Sequence, residues 1–286
     1  MSQTQASQAT SSHFLFSVDL EDVRKMIPDG LQYPERVPAM TRQYLAFLAQ
    51  HQAKATFFLV GDMLRTYPDL IVEIADQGHE IACHTNKHTH LDQLSQDAFK
   101  RDLEAFQHSL IALGLPPTTG FRAPSFSLTE KTQWVYPLLK EFGFIYSSSV
   151  LPAKNPLFGW KDFGNHPRMI GGMLEIPMTL QNFGLIKIPI GGGVYFRSLP
   201  SWVLRFLFRQ FQRQKQDILG YFHPYDIDLK QDRFMHPNID NNPFFNALMY
   251  YGRASVFPKL KMVMDLGFAM VRYDDFAQQY LPKKLV

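Results

Sequence analysis

The sequence predicts an α/β protein organised around a parallel sheet, and three observations support that class. Short apolar runs, such as residues 55–60, are nearly continuous, which is typical of strands buried on both faces. These runs alternate with segments of helical periodicity, and the alternation repeats four times. Several runs end in acidic, histidine or arginine side chains, and parallel strands place the residues at their carboxyl ends in a common site.

In the amino-terminal half, the predicted elements have recognisable start and stop signals. Residues 40–51 carry apolar side chains at helical spacing, and Gly61 ends the strand that follows them. Gly78 stops a second helix. Ser95 is a favourable N-cap for a helix that runs to Leu113. The predicted strands are 13–18, 55–60, 80–83 and 119–123, separated by helices at 40–51, up to about 77, and 96–113.

The carboxyl-terminal half is less regular. Gly143 ends one predicted helix, and residues 152–200 are rich in Gly and Pro, which indicates short strands and loops. The predicted strands are 144–149, 174–177, 218–224 and 269–272, and the predicted helices are 128–142, 201–214 and 257–266. Neither a repeat nor a linker is apparent, so we expect a single domain over residues 13–286, preceded by a disordered tail at 1–12.

Bulk properties exclude several classes of protein. A net charge of +3 over 286 residues is too small to indicate nucleic-acid binding. The single cysteine excludes an internal disulfide framework and suits a reducing compartment. There is no spanning apolar segment and no recognisable secretory signal, so the sequence points to a cytoplasmic protein.

Two segments predict a metal site. Strand 80–83 ends in His84, and His88 follows at a spacing that puts both imidazoles on one face if the chain turns helical. The first strand runs into Asp19, Glu21 and Asp22. Two imidazoles and a carboxylate form a typical ligand set for a catalytic divalent ion, and zinc, cobalt, nickel and manganese all suit it.

The polar residues at the ends of the predicted strands form a set that resembles a known family. The set is Asp19, Asp22, His84, His88, Arg122 and His223. In this set the chain resembles the polysaccharide deacetylases of the NodB-homology class, carbohydrate esterase family 4, and especially the branch associated with exopolysaccharide export. The similarity covers roughly residues 14–280. It implies a distorted (β/α) barrel of about seven parallel strands.

The resemblance also implies the chemistry and the role of each residue. The expected reaction is metal-dependent hydrolysis of the N-acetyl group of an amino-sugar glycan or glycan precursor. Asp19 corresponds to the general base, Arg122 orients that base, and His223 corresponds to the general acid. The implied metal ligands are Asp22, His84 and His88, with zinc as the first expectation.

The chain departs from the family pattern at two places. Its opening motif spreads the acids over Asp-Leu-Glu-Asp, and strand alternation would favour Glu21 as the ligand. If the strand has already ended, Asp22 can turn inward, and the resemblance favours Asp22. Ser147 stands where the family usually has an aspartate that pairs with the catalytic histidine. Asp226 or Asp228 could replace that aspartate.

Two other functions and one surface are also considered. The same fold could hydrolyse a small cyclic amide or ureide, as allantoinase-like relatives do, or it could bind glycans without catalysis. Within residues 201–215, Arg205, Arg209 and Arg213 recur every four residues with aromatic neighbours. This pattern fits either a helix packed on the barrel or a weak, salt-sensitive contact with anionic lipid at the inner membrane face.

Overall fold

The computed structural model describes residues 12–154, 158–184, 186–237 and 239–281. The tail predicted for residues 1–12 therefore lies outside the described residues, except for Ser12. Ser12 is buried, and its carbonyl oxygen accepts a hydrogen bond from the backbone N–H of Ala269 at 3.1 Å.

Strands and helices alternate along the described chain. The strands are β1 (His13–Leu20), β2 (Thr56–Leu59), β3 (Glu80–Cys83), β4 (Gly120–Phe121), β5 (Tyr146–Ser147), β6 (Arg168–Ile170), β7 (Met173–Glu175), β8 (Leu180–Phe183), β9 (Ile186–Pro189), β10 (Ile218–Phe222) and β11 (Ala269–Val271). The helices are α1 (Val37–Gln50), α2 (Gly61–Thr66), α3 (Pro68–Asp76), α4 (Gln96–Ala112), α5 (Val135–Glu141), α6 (Gly193–Ser198), α7 (Ser201–Arg213), α8 (Pro243–Tyr250), α9 (Val256–Asp265) and α10 (Tyr273–Ala277).

One large sheet organises the molecule. Its strands follow the order β10-β1-β2-β3-β4-β5-β7-β6, and β11 also pairs with β1. Eight of these strands run parallel to a neighbour, and β6 alone is antiparallel to its partner β7. Strands β8 and β9 form a separate hairpin. The sheet curls into a half-barrel, so the predicted parallel α/β architecture is confirmed.

Strand β1 lies between two packed layers because its side chains alternate. Phe14, Phe16 and Val18 are fully buried in the main core beneath the helices. Leu15 belongs to a second cluster on the opposite face of the strand, where it joins Phe58 and residues of other strands. By this alternation, every second side chain from Leu15 onward lies on the second face, up to the acidic residues at the carboxyl end of the strand.

Some helices differ from the sequence prediction, and proline explains the clearest case. The helix predicted to run to residue 77 is two helices, α2 and α3, because Pro68 has no N–H to continue the first and instead begins the second. The helix predicted at 128–142 is shorter. It consists of a 3-10 turn at Glu130–Thr132 followed by α5. Helices α6, α8 and α10 were not predicted, since each is short.

Candidate active site

Four strands of the sheet end at one cleft. The carboxyl ends of β10, β1, β3 and β4 bring polar side chains to a cavity of about 230 Å³. Among the residues that line it are Asp19, Glu21, His84, His88 and His223. Convergence at this edge follows from the parallel order of the strands.

Glu21, His84 and His88 form a group of potential metal ligands. One ligand atom from each lies within 4.8 Å of the others. Oε2 of Glu21 lies 2.8 Å from Nε2 of His88, and the two imidazole rings are 5.1 Å apart. Glu21 and His84 are buried, and His88 is nearly so. The spacing of the three side chains therefore suits one shared cation.

The two histidines converge through a loop and not through a helix. Thr85 and His88 both have left-handed backbone angles, with φ of 61° and 54°. The loop is fixed by its neighbours: the N–H of Asn86 donates to Asp102 at 2.7 Å. A Cβ on Gly61 would meet the side chain of Asn86, so this close approach requires glycine. The helical turn after His84, which the sequence analysis took as a condition, is not formed, but both imidazoles still reach one site.

Asp22 lies away from the two histidines. Its carboxylate forms a bidentate ion pair with the guanidinium of Arg24, at 2.6 Å for the shortest contact. It also accepts from the backbone N–H of Arg24 and so caps the 3-10 turn Val23–Met26. The sequence analysis favoured Asp22 over Glu21 as the third ligand, whereas the structure places Glu21 beside His84 and His88 and pairs Asp22 with Arg24. Strand β1 continues to Leu20, so alternation directs Glu21 to the same side as Asp19.

Protonation also suits Glu21 and His84 as ligands. Burial opposes ionisation of Glu21, but the nearby histidines, His88 first, outweigh it and lower its pKa to about 2. Burial lowers the pKa of His84 to about 4, which keeps its imidazole neutral near pH 7. Nδ1 of His84 lies 2.8 Å from the carbonyl oxygen of Arg122, so it carries the proton and leaves Nε2 as an electron-pair donor.

Asp19 is held by a buried arginine. Oδ1 of Asp19 accepts a hydrogen bond from Arg122 at 2.5 Å, and both side chains are almost completely buried. The same guanidinium donates to Ser17 Oγ, to the carbonyl and hydroxyl of Ser148, and to the hydroxyl of Tyr273. With its donors fixed in this way, Arg122 gives the Asp19 carboxylate one defined orientation toward the cleft.

His223 belongs to a second buried chain of contacts, together with Asp226 and Arg197. Its Nδ1 lies 3.2 Å from Oδ2 of Asp226, and Oδ1 of Asp226 accepts from Arg197 at 2.8 Å. Burial disfavours the imidazolium, but the hydrogen bond to Asp226 and the charges of Glu21, Asp226 and Asp19 outweigh it and raise the pKa of His223 to about 9. His223 is therefore protonated near neutral pH.

The position of Asp226 answers the question raised by Ser147. Ser147 donates to Ser149 at 2.8 Å, in a network that also includes Glu175, and it makes no contact with His223. Asp228 pairs with Arg36 instead. Of the two candidate replacements, Asp226 is the one in contact with His223, which it reaches across a single turn.

Two residues of the cleft region were not singled out from the sequence. Arg197 is fully buried on the short helix α6, within the Gly- and Pro-rich middle of the chain. His236 lies in a loop after β10 and lines the cleft. For His236, the sequence signal is a His-Pro dipeptide like the one at His223, but the same dipeptide also occurs at His166, which does not line this cleft.

Two family models match the chain. A model of the polysaccharide deacetylase domain matches residues 28–144, and a model of a domain of unknown function, DUF3473, matches residues 148–278. A chitooligosaccharide deacetylase from Rhizobium leguminosarum bv. trifolii is 33% identical over 75 residues, 26% of this chain and 35% of that protein. A peptidoglycan-N-acetylglucosamine deacetylase from Bacillus cereus is 36% identical over 63 residues, 22% of this chain and 23% of that protein. The matched stretches thus span about a third or less of these relatives.

Solved structures with a similar fold cover most of the chain. A Mycobacterium smegmatis protein named for the same family aligns over 96% of this chain and 94% of its own, with a TM-score of 0.60 and 19% identity. The Puue allantoinase aligns over 84% and 72%, with a TM-score of 0.58 and 13% identity. At these identities the likeness concerns the fold alone.

Proposed function

We propose that this chain, in which a polysaccharide deacetylase domain matches residues 28–144, hydrolyses the N-acetyl group of an amino-sugar glycan or glycan precursor. One observation carries this proposal: a single cleft holds the potential metal ligands Glu21, His84 and His88 together with Asp19 and His223. The names of the deacetylases from Rhizobium and Bacillus support an amino-sugar substrate. The link to exopolysaccharide export stays a prediction from the sequence.

We propose Glu21, His84 and His88, and not Asp22, as the ligands of a divalent ion. An ionised carboxylate and two imidazoles, one with a fixed tautomer, fit zinc best, and cobalt, nickel and manganese also suit this set. When bound, such an ion supplies a Lewis acid that polarises the acetyl carbonyl and makes water more acidic.

Asp19 then acts as the general base. Its carboxylate takes a proton from the attacking water, while Arg122 stabilises the orientation of the carboxylate. The other hydrogen bonds of Arg122 hold the guanidinium in place when the Asp19 carboxylate becomes protonated. General acid–base catalysis of this kind contributes about 10²–10⁴-fold to the rate.

His223 acts as the general acid for the departing amine. Amide hydrolysis requires a proton on the leaving nitrogen, and an imidazolium with a pKa of about 9 is charged before the reaction begins. Asp226 accepts a hydrogen bond from Nδ1–H of the ring, which leaves Nε2–H available to the substrate. Arg197 neutralises the charge of Asp226, so the pair can remain buried.

The two alternative functions lack this combined support. Hydrolysis of a small cyclic amide is favoured only by the fold shared with an allantoinase. A glycan-binding protein without catalysis would have no need of a buried Asp19–Arg122 pair or of a histidine with a raised pKa. Deacetylation uses all of these groups.

Acetate release tests the proposal. The purified protein is incubated with N-acetylated oligosaccharides and with nucleotide- and lipid-linked amino sugars, before and after chelation and after zinc is restored. We expect acetate from at least one amino-sugar substrate, loss of that activity with chelator, and recovery with the metal. Allantoin serves as the competing substrate. Turnover of allantoin without acetate release from any sugar would support the alternative function.

We further propose that α7 contacts an anionic membrane surface. Its inner face packs on the core, but Trp202 is 75% exposed and Phe206 is 66% exposed on the outer face. Arg205, Arg209 and Arg213 lie on the same outer face by helical spacing, and no carboxylate pairs with them within the described ranges. Each arginine near anionic lipid could contribute about 1 kcal/mol.

Among the helices of the described ranges, none has the length and apolar composition that a bilayer-spanning helix requires. The proposal for α7 concerns a contact with lipid headgroups. Vesicle sedimentation tests it, with phosphatidylserine vesicles compared with phosphatidylcholine vesicles at low and high salt. We expect salt-sensitive binding to the anionic vesicles, lost when Arg205, Arg209 and Arg213 are changed to Gln.

A matched control removes the same charge elsewhere. Arg101, Lys131 and Lys161 are exposed on other elements, and changing these three to Gln lowers the net charge equally. Equal loss of binding in both triple variants would attribute the attraction to net charge and refute a specific role for α7. The predicted cytoplasmic location is not tested by this experiment and stays a prediction.

A further inference from the structure

His236 is a buried histidine in the cleft that the reaction described above does not use. It lines the same cavity as Asp19 and His223, and only 3% of it is exposed. The ring packs against the rings of Tyr225 and Tyr250, both at 5.2 Å, and of Phe234 at 5.1 Å. These aromatic contacts fix the orientation of the ring but provide no hydrogen bond to its Nε2.

One ring nitrogen of His236, Nε2, lacks a hydrogen-bond partner in the described part of the chain. This atom is buried and bonds to nothing in residues 12–154, 158–184, 186–237 and 239–281. Only the backbone N–H is used, and it donates to Asn246 at 3.0 Å. A buried polar atom without a partner destabilises the folded state, so such atoms in a cleft mark places where a ligand can supply the missing bond.

His236 lies where it can contact the sugar ring of the substrate and not its acetyl group. The ring of His223 stacks on Tyr225 at 4.6 Å, and the other neighbour of Tyr225 along the cleft is His236. In the proposed reaction, His223 protonates the nitrogen that remains on the sugar. The sugar ring is bonded to that nitrogen, so it must lie beside His223, and Tyr225 and His236 both line the cavity on from His223.

We infer that His236 binds a hydroxyl group of the amino sugar and so contributes to recognition of the substrate. This inference rests on the proposed deacetylase function. Tyr225 would lie between the reacting nitrogen and the contact, which separates the chemistry at His223 from recognition at His236. A neutral imidazole has one N–H and one free electron pair, so it can either donate to or accept from a sugar hydroxyl.

The protonation state of His236 is consistent with this role. Burial, followed by the charge of Arg253, lowers its pKa to about 3. The ring of His236 is therefore uncharged near neutral pH, where His223 is protonated. It would recognise a neutral hydroxyl and would not compete with His223 for the proton that the amine receives.

Replacement of the imidazole by a ring of similar size tests the inference. His236→Phe keeps the aromatic packing and removes both nitrogens. With a short N-acetylglucosamine oligomer, we expect KM to rise about tenfold and kcat to change less than twofold, because the contact is made equally in the ground and transition states. With 4-nitrophenyl acetate, which has an acetyl group and no sugar, we expect no change. His236→Gln should recover part of the lost affinity.

Two further measurements separate recognition from a structural effect. Tyr250→Phe removes the hydroxyl that bonds to the backbone of Phe234 and so loosens the same loop while keeping His236 intact. We expect its KM to stay within twofold of wild type. Monodeoxy sugar analogues should show one hydroxyl whose removal raises KM in the wild type and has no further effect in His236→Phe.

The outcomes distinguish failure of this inference from failure of the proposed function. An active wild type with an unchanged KM in His236→Phe would overturn the inference alone. An equal rise of KM in Tyr250→Phe, or an equal penalty for every deoxy analogue, would show that His236 acts only through packing and would also overturn it. A wild type that releases no acetate from any amino sugar would overturn the proposed function and the inference with it.

Discussion

The two sides of the cleft carry charge in different ways. On the amino-terminal side, Glu21 faces two histidines, and no buried arginine pairs with Glu21 among the residues that the structure describes. On the carboxyl-terminal side, Asp226 joins His223 to Arg197, so the negative charge is already balanced within the protein. In the proposed function a bound cation balances the charge on the first side, whereas the charge of Asp226 on the second side is balanced by protein groups. This difference gives each side its own sensitivity to mutation, chelation and pH.

The largest effect is expected when the amino-terminal side loses its ion. The double variant His84→Ala, His88→Ala removes two of three proposed ligands, so we expect metal content and acetate release to fall below detection. Circular dichroism should match wild type, because the core of the sheet does not include these side chains. Stoichiometric metal in the double variant would show that the ion binds elsewhere.

A smaller but still large loss is expected when the base is removed and the ion kept. Asp19→Asn cannot accept the proton of water, and we expect kcat to fall about 10²–10⁴-fold while the metal-to-protein ratio is unchanged. The amide still accepts a hydrogen bond from Arg122, so the arginine keeps one partner. Turnover within a few-fold of wild type would exclude Asp19 as the base.

The carboxyl-terminal side should respond through pH. His223 must be protonated to act as an acid, so wild-type kcat should fall as pH rises through about 9. In Asp226→Asn the main cause of the raised pKa is lost, and the decline in kcat should begin at a lower pH. An alkaline limit that is the same in both proteins would contradict the assignment of His223.

The same substitution should lower stability. Asp226→Asn leaves the guanidinium of Arg197 buried without its counter-ion, which typically costs about 3–5 kcal/mol in the free energy of unfolding. The raised pKa of His223 also stabilises the wild-type fold fully below pH 6.5, and this stabilisation is lost as pH rises through about 9. Urea unfolding of both proteins at pH 6 and pH 9.5 measures the two effects. The difference between the proteins should be larger at pH 6.

The smallest effect is expected at Ser147. This residue stands where the resembling family usually has an acid, but its hydroxyl bonds to Ser149 and Glu175, whereas the ring of His223 bonds to Asp226. Ser147→Ala should therefore keep kcat and its pH dependence within twofold of wild type. A shift of the alkaline limit in this variant would show that Ser147, and not Asp226 alone, acts on His223.

The sequence predicted the amino-terminal side of the cleft more completely than the other. Strand 80–83 was predicted with its observed bounds, and the residues at the ends of β1, β3 and β4 were recognised because parallel strands present their carboxyl ends together. The choice between Glu21 and Asp22 depended on where β1 ends. That boundary is two residues later than predicted, and boundaries of this kind are set by tertiary pairing, here with β2.

The carboxyl-terminal side was harder to predict because its partners are distant in sequence or lie in irregular segments. Asp226 was one of two candidates near His223, and only the turn that brings it back to the ring separates it from Asp228. Arg197 lies on a six-residue helix without a clear periodic pattern. A buried ion pair between such segments has no signature in composition or spacing, since neither residue differs locally from a surface charge.

The most direct test of the account compares Glu21→Gln with Asp22→Asn. Both variants remove one negative charge from neighbouring residues, but only Glu21 faces His84 and His88, while Asp22 pairs with Arg24. Metal content and acetate release are measured on the same preparations. We predict that Glu21→Gln loses the ion and the activity, and that Asp22→Asn keeps both near wild-type values. Retention of metal by Glu21→Gln together with its loss from Asp22→Asn would contradict the proposed site.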